Sequence, residues 1–143
     1  MAVDPSFTIV TQEPTVEYIG GTNTQDVIAV GFVTTAHQVY GEVRVPQASY
    51  SAALAKAAAA GYADIFETIF SFPNVSDLAW GQRTTSAGLL VDQVTIYVSS
   101  DSGQSTAPYG PIDITSLGPE YHSAEFEALA AQLTSAETQS AGA

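Results

Sequence analysis

The sequence predicts an α+β fold of two layers. It expects one antiparallel or mixed sheet of about five strands, with a long helix across one face and a short C-terminal helix. Three observations lead there. Residues 7–46 hold runs of Val, Ile, Thr, Tyr and Phe cut by Gly and Pro, which is how strands read. Residues 49–71 change to the three-four spacing of a helix. Residues 78–100 return to alternation around Ser86-Ala87-Gly88, which is how a hairpin reads. The order β-β-β-α-β-β-loop-α contains no repeat and no linker, so 1–143 reads as one domain.

Each element follows from its residues. MAVDPS (1–6) reads as a flexible N-terminal arm. FTIVTQEPTVEYI (7–19) is either two short strands or one long strand kinked at Pro14, at a sheet edge. Gly20 and Gly21 permit the turn that follows. DVIAVGFVTT (26–35) is apolar on both faces, which marks a central, covered strand. Gly31 within it points to a close approach on its own face. VYGEVRVP (39–46) alternates, with Val39, Val43 and Val45 inward and Tyr40, Glu42 and Arg44 outward.

SAALAKAAAAGYADIFETIF (51–70) is the centre of the long helix, with Ser49 or Ser51 as its cap. Leu54, Ala58, Gly61, Ile65 and Ile69 form one stripe, expected to cover the sheet. Tyr62, Phe66 and Phe70 form a second, which is either core or a contact with another subunit. Gly61 costs about 1 kcal/mol against Ala in a helix, which a close-packed neighbour would offset. The segment 101–121 is rich in Gly, Pro and Ser and reads as a long loop, with a short extended piece at 111–114. Ser123 caps a last helix with Phe126, Leu129, Ala130 and Leu133 on one face, and 136–143 reads as a tail.

Composition narrows the function classes. Only 13% of residues are charged, against roughly 25% in an average protein. An uncharged polar surface of that kind suits a protein that packs against neighbours. The net charge is −12, with Arg44, Lys56 and Arg83 as the only bases, so the chain is not built to grip nucleic acid or an anionic membrane. There is no cysteine, hence no disulfide and no thiolate chemistry. No leader-like apolar run follows a basic segment, and none approaches the roughly 20 residues of a membrane span.

Catalytic motifs are weak. Asp101-Ser102-Gly103 resembles half of a paired-carboxylate protease site, but Ser99 and Ser100 precede it where burying residues are needed, so it reads as a polar turn. His37 and His122 have no metal-ligand partner at the usual spacing. Neither a nucleophile elbow nor a phosphate loop is present. The expectation is therefore a non-enzyme with no cofactor and no metal. Glu42, Arg44, Asp92 and Arg83 lie on strands and pair either across strands or between subunits.

EYIGGTNTQDVIAVGFVT, then VYGEVRVP, then the Ala-rich helix and the hairpin LAWGQRTTSAGLLVDQVTIYVSS resemble small virion proteins of tailed bacteriophages. The resemblance covers about residues 13–100 and lies in composition, length and element order. It implies a structural subunit at the head–tail junction, tail end or capsid, forming rings through arms and edge strands, with copies of itself and other virion proteins as partners. Tyr62, Phe66, Phe70, Tyr109 and Tyr121 are the expected interface residues, since aromatics dominate interface energetics. The alternative is a small-molecule-binding α+β domain or small enzyme, with Trp80, Tyr97 and His37 around a pocket between helix and sheet.

Overall fold

The computed structural model describes residues 7–117 and 121–142, with the last residues of the final helix described by backbone alone. The arm at 1–6 lies outside the described residues. The fold is α+β, with two three-stranded antiparallel sheets instead of one five-stranded sheet. Strands β1 (Phe7–Gly20), β2 (Asn23–Thr34) and β3 (Tyr40–Pro46) form the first sheet in that order. Helix α1 (Ala52–Phe70) follows, then β4 (Val75–Thr84), β5 (Leu90–Ser99) and β6 (Thr106–Asp113), again in sequence order. Helix α2 (Ser123–Gly142) closes the chain. A period of two specifies a strand but not its neighbour, which is why the count of sheets was not readable locally.

Residue contacts divide the chain into two compact units. The first runs to Glu67 and takes in Trp80–Asp92; the second takes Thr68–Ala79 and the chain from Gln93 onward.

The first unit has β2 at its centre, as its two apolar faces require. β1 is one long strand on the edge, paired with β2 from Phe7↔Thr34 to Gly20↔Asn23, with irregularities at Val10 and Ile19. Pro14 is tolerated because it sits on the edge strand. Val27, Val30 and Phe32 of β2 are buried together with Val43 and Val45 of β3. Phe7 packs edge-on against Phe32 at 6.1 Å, and Phe32 stacks on Phe66 of α1 at 5.9 Å. Gly41 makes that stack possible. A Cβ there would lie 2.7 Å from Phe32 and 2.9 Å from Phe66. Gly31 is a close approach as expected, since a Cβ there would come 2.6 Å from the Tyr40 hydroxyl.

Helix α1 is capped by Ser51, whose Oγ accepts from the Leu54 amide at 3.0 Å. Of the expected stripe only Ile69 is buried, and Ala58 and Ile65 are half-buried. Ala55, Ala59, Ala63 and Phe66 face inward at 0% exposure, while Leu54 is 41% exposed and Gly61 is exposed. An apolar run this wide contains several valid stripes, and the one with the smallest side chains lets the helix lie closest to the sheet. Gly61 has no close-packed neighbour: a Cβ there meets nothing within 4 Å.

The second unit buries Ile69, Leu78, Val94, Ile96, Val98, Ile114, Leu117, Phe126 and Ala130. Two expectations are corrected here. Residues 106–113 of the expected loop 101–121 form the strand β6. Its prolines, Pro108 and Pro111, argued against a strand, but β6 is an edge, where a missing N–H is tolerated. The residues read as a tail continue α2 to Gly142, so this helix is not short. Polar contacts hold it. Thr134 Oγ1 accepts from the Asp101 amide at 2.9 Å, and Glu137 accepts from Ser100 Oγ at 2.6 Å and Ser102 Oγ at 2.7 Å. The apolar face of α2 is the expected one, with Phe126 and Ala130 buried.

Two glycines give opposite tests. Gly41→Ala is expected to lower stability by about 1–3 kcal/mol, because the phenyl stack must shift. Gly61→Ala is expected to raise it by up to about 1 kcal/mol, because it adds helix propensity into open space. Urea midpoints of the two variants check both signs.

Candidate functional site

A cleft of about 490 Å³ opens in the first unit. Ala57, Ala58, Gly61 and Ile65 of α1 form one wall, with Val43 of β3 opposite. Its polar end is Glu17, Arg44, Tyr62 and Asp92. The stripe expected to cover the sheet thus lines an open space, because small side chains at 57, 58 and 61 leave it unfilled.

Arg44 organises the polar end. Its side chain is only 11% exposed. Nε donates to Glu17 Oε2 at 2.9 Å, and Nη2 donates to both oxygens of Asp92 at 3.2 and 3.1 Å. Asp92 also accepts from Gln82 Nε2 at 3.0 Å and from the Tyr62 hydroxyl. Nη1 is buried with no hydrogen bond among the described residues and lies 3.9 Å from Glu42 Oε1. Burial alone pulls the guanidinium down, but Asp92 and Glu17 carry it above its ordinary value. Burial, then the bond to Asp92, pushes the Tyr62 phenol well above its usual 10.0. Of the two pairings expected for the strand charges, Arg44 and Asp92 make the one within the chain.

The expected interface residues fall in different places. Phe66 is fully buried on Phe32, so it is core within its own chain. Tyr62 is half-buried beside the cleft, with its ring 6.3 Å from Phe66. In the second unit Phe70 is half-buried. Tyr109 packs edge-on against Phe126 at 5.4 Å and lies 5.9 Å from His122. Tyr121 lies 6.0 Å from Phe72. All of these aromatic side chains are engaged within the chain.

The exposed apolar residues lie elsewhere. Val10, Val16 and Ile19 of the edge strand are 50%, 59% and 49% exposed, and residues 10–16 are exposed on both faces of the strand. The sequence showed this strand as an edge but hid which of its side chains stay outside. Trp80, Tyr97 and His37 do not line the cleft. Trp80 packs on Tyr40 at 5.8 Å, and His37 Nδ1 lies 3.0 Å from Glu67 Oε1. Asp101 is exposed and accepts from Asn74 Nδ2 at 3.1 Å, with no second buried carboxylate beside it among the described residues. No group of three or more acidic or imidazole side chains among the described residues is placed to hold a metal. No helix described is long and apolar enough to cross a membrane. No protein-family model, curated protein or solved structure matches the chain.

Two titrations follow from the geometry. A phenol whose pKa is raised in the fold adds no pH dependence below its ordinary value of 10.0, and costs stability as pH rises above it. The wild type is therefore expected to lose stability above about pH 10, and Tyr62→Phe to lose less over that window, by thermal melts at stepped pH. Glu137 behaves in the opposite sense. Hydrogen bonds from Ser100, Ser105 and Ser102 hold its carboxyl below the usual 4.5. The stabilisation is present above that value and lost as pH falls through the lowered one. Amide exchange over 100–105 is expected to speed up there, and in Glu137→Gln to be fast at every pH.

Proposed function

We propose that the chain is a non-enzymatic structural subunit that assembles with copies of itself through the outer edge of β1, which pairs with no other strand among the described residues. The setting proposed with it is the one the resemblance implies: a tailed-phage particle, as part of a ring at the head–tail connection or tail end, beside other virion proteins. One observation supports assembly above the rest. β1 is a 14-residue edge strand, and it carries three of the exposed large aliphatic side chains. A long edge offers unpaired N–H and C=O groups to another chain. Exposed Val and Ile give such a pairing a hydrophobic component, at about 25 cal/mol per Å² buried. β1 carries two charged residues, Glu13 and Glu17, and Glu17 is paired with Arg44 of its own chain. Pro14 removes one donor near its middle, which confines a new ladder to the segments on either side.

Light scattering of the purified chain, beside Val16→Lys, tests this reading. Val16 is mostly exposed, so the variant is expected to keep its fold and melting temperature. The wild type is expected to have the mass of an oligomer and Val16→Lys that of a smaller species. A wild type that is monomeric at every concentration, or a variant with unchanged mass, overturns assembly through β1.

A further inference from the structure

We infer that the cleft of the first unit is a binding site for a small amphipathic primary amine, an alkylammonium with an apolar body. This goes beyond the assembly reading and stands on separate residues. The cleft volume of about 490 Å³ lies in the range of ligand sites. Its wall is built from residues that leave room. Ala57, Ala58 and Gly61 stand where larger residues would close it, and a Cβ at Gly61 meets nothing within 4 Å. Gly61 even costs helix propensity to leave that space. An apolar body fits against these methyl groups, Val43 and Ile65.

The polar end selects the head group. Two carboxylates, Glu17 and Asp92, line it against one guanidinium, with Glu42 3.9 Å behind Arg44. The local balance is negative, as is the chain as a whole at −12. Arg44 spends its Nε and Nη2 on Glu17 and Asp92, and its unpartnered Nη1 is buried 3.9 Å from Glu42 Oε1, shut off from a ligand in the cleft. Asp92 already accepts from Arg44, Gln82 and Tyr62. Glu17 uses one oxygen on Arg44, and its other oxygen has no hydrogen-bond partner among the described residues. Glu17 lines the cleft and its side chain is 21% exposed. The Tyr62 hydroxyl stays neutral and keeps a lone pair after donating to Asp92. The site therefore presents acceptors and negative charge beside an apolar wall. A carboxylate or phosphate of the same size meets repulsion, and the one unpartnered guanidinium nitrogen, Nη1, is buried out of its reach.

Hexylammonium, hexanoate and hexanol serve as probes, titrated into the full chain and followed by amide chemical shifts. Hexylammonium is expected to give saturable shifts at Ala57, Ala58, Gly61 and Tyr62, with hexanoate giving none. Glu17→Gln is expected to weaken hexylammonium by about tenfold, the loss of one charged hydrogen bond. Gly61→Leu is expected to abolish the shifts while leaving the melting temperature no lower, so a failure to fold is not mistaken for a filled site. Absence of saturable shifts, or hexanoate or hexanol binding as well as hexylammonium, overturns the inference. So does a fall in particle mass of Gly61→Leu, which would give the cleft to a second copy of the chain. Loss of assembly in Val16→Lys with amine binding intact would separate the two sites.

Discussion

A guanidinium that is almost out of water must be matched, and in this chain it is matched by carboxylates from two other strands. Arg44 on β3 is met by Glu17 from β1 and by Asp92 at the start of β5, and Asp92 is held in turn by Tyr62 of α1 and Gln82 of β4. Removing one partner from such a pair typically costs about 3–5 kcal/mol, because the charge left behind has no counter-ion. That asymmetry makes the cluster a check on register. A one-residue slip of β3 would turn Arg44 away from both carboxylates. The cluster also explains why one of three bases is spent inside: its role is to align elements far apart in sequence.

The other constraint is room. Helix α1 is made of alanines where it meets the sheet and of Phe66 where the gap thickens, and Gly41 lets Phe66 lie flat on the strand. The same supply of small residues on the neighbouring face has the opposite result. With no bulk at 57, 58 and 61, the helix stands over a cleft instead of a filled core. One compositional habit thus yields both a close aromatic contact and an open cleft, depending on which way each residue points.

Much of this was legible. The strands β1, β2 and β3, the hairpin β4–β5, the helix α1 with its Ser51 cap and the inward face of α2 all follow from periodicity and turn chemistry. Gly31 announced a close approach and one was found. What escaped is what local pattern does not carry. Ala55/Ala59/Ala63 and Leu54/Ala58/Gly61 both have helical three-four spacing, and only the partner surface decides which is buried. β6 hid behind Pro108 and Pro111, because edge position excuses proline and edge position is a property of the whole sheet. The end of α2 lacked apolar residues and was read as a tail, whereas Thr134 and Glu137 anchor it by hydrogen bonds. Arg44, Asp92 and Tyr62 were each singled out in the sequence, but their convergence with Glu17 spans positions 17 to 92 and has no sequence signature.

The chain enters each unit twice. It leaves the first within α1, at Glu67, returns at Trp80 in the middle of β4, and leaves again after Asp92 in β5. Neither unit is therefore a contiguous stretch that a gene fragment would encode. During synthesis the first sheet and most of α1 emerge from the ribosome well before Asp92 and Gln82, so Arg44 waits with half of its counter-charge. The nascent chain has to keep that guanidinium hydrated until some 25 further residues have followed Glu67. Closure of the amino-terminal half is thereby tied to translation of the hairpin, and a ribosome stalled near residue 79 would hold a product that has its strands but not the lock that sets them.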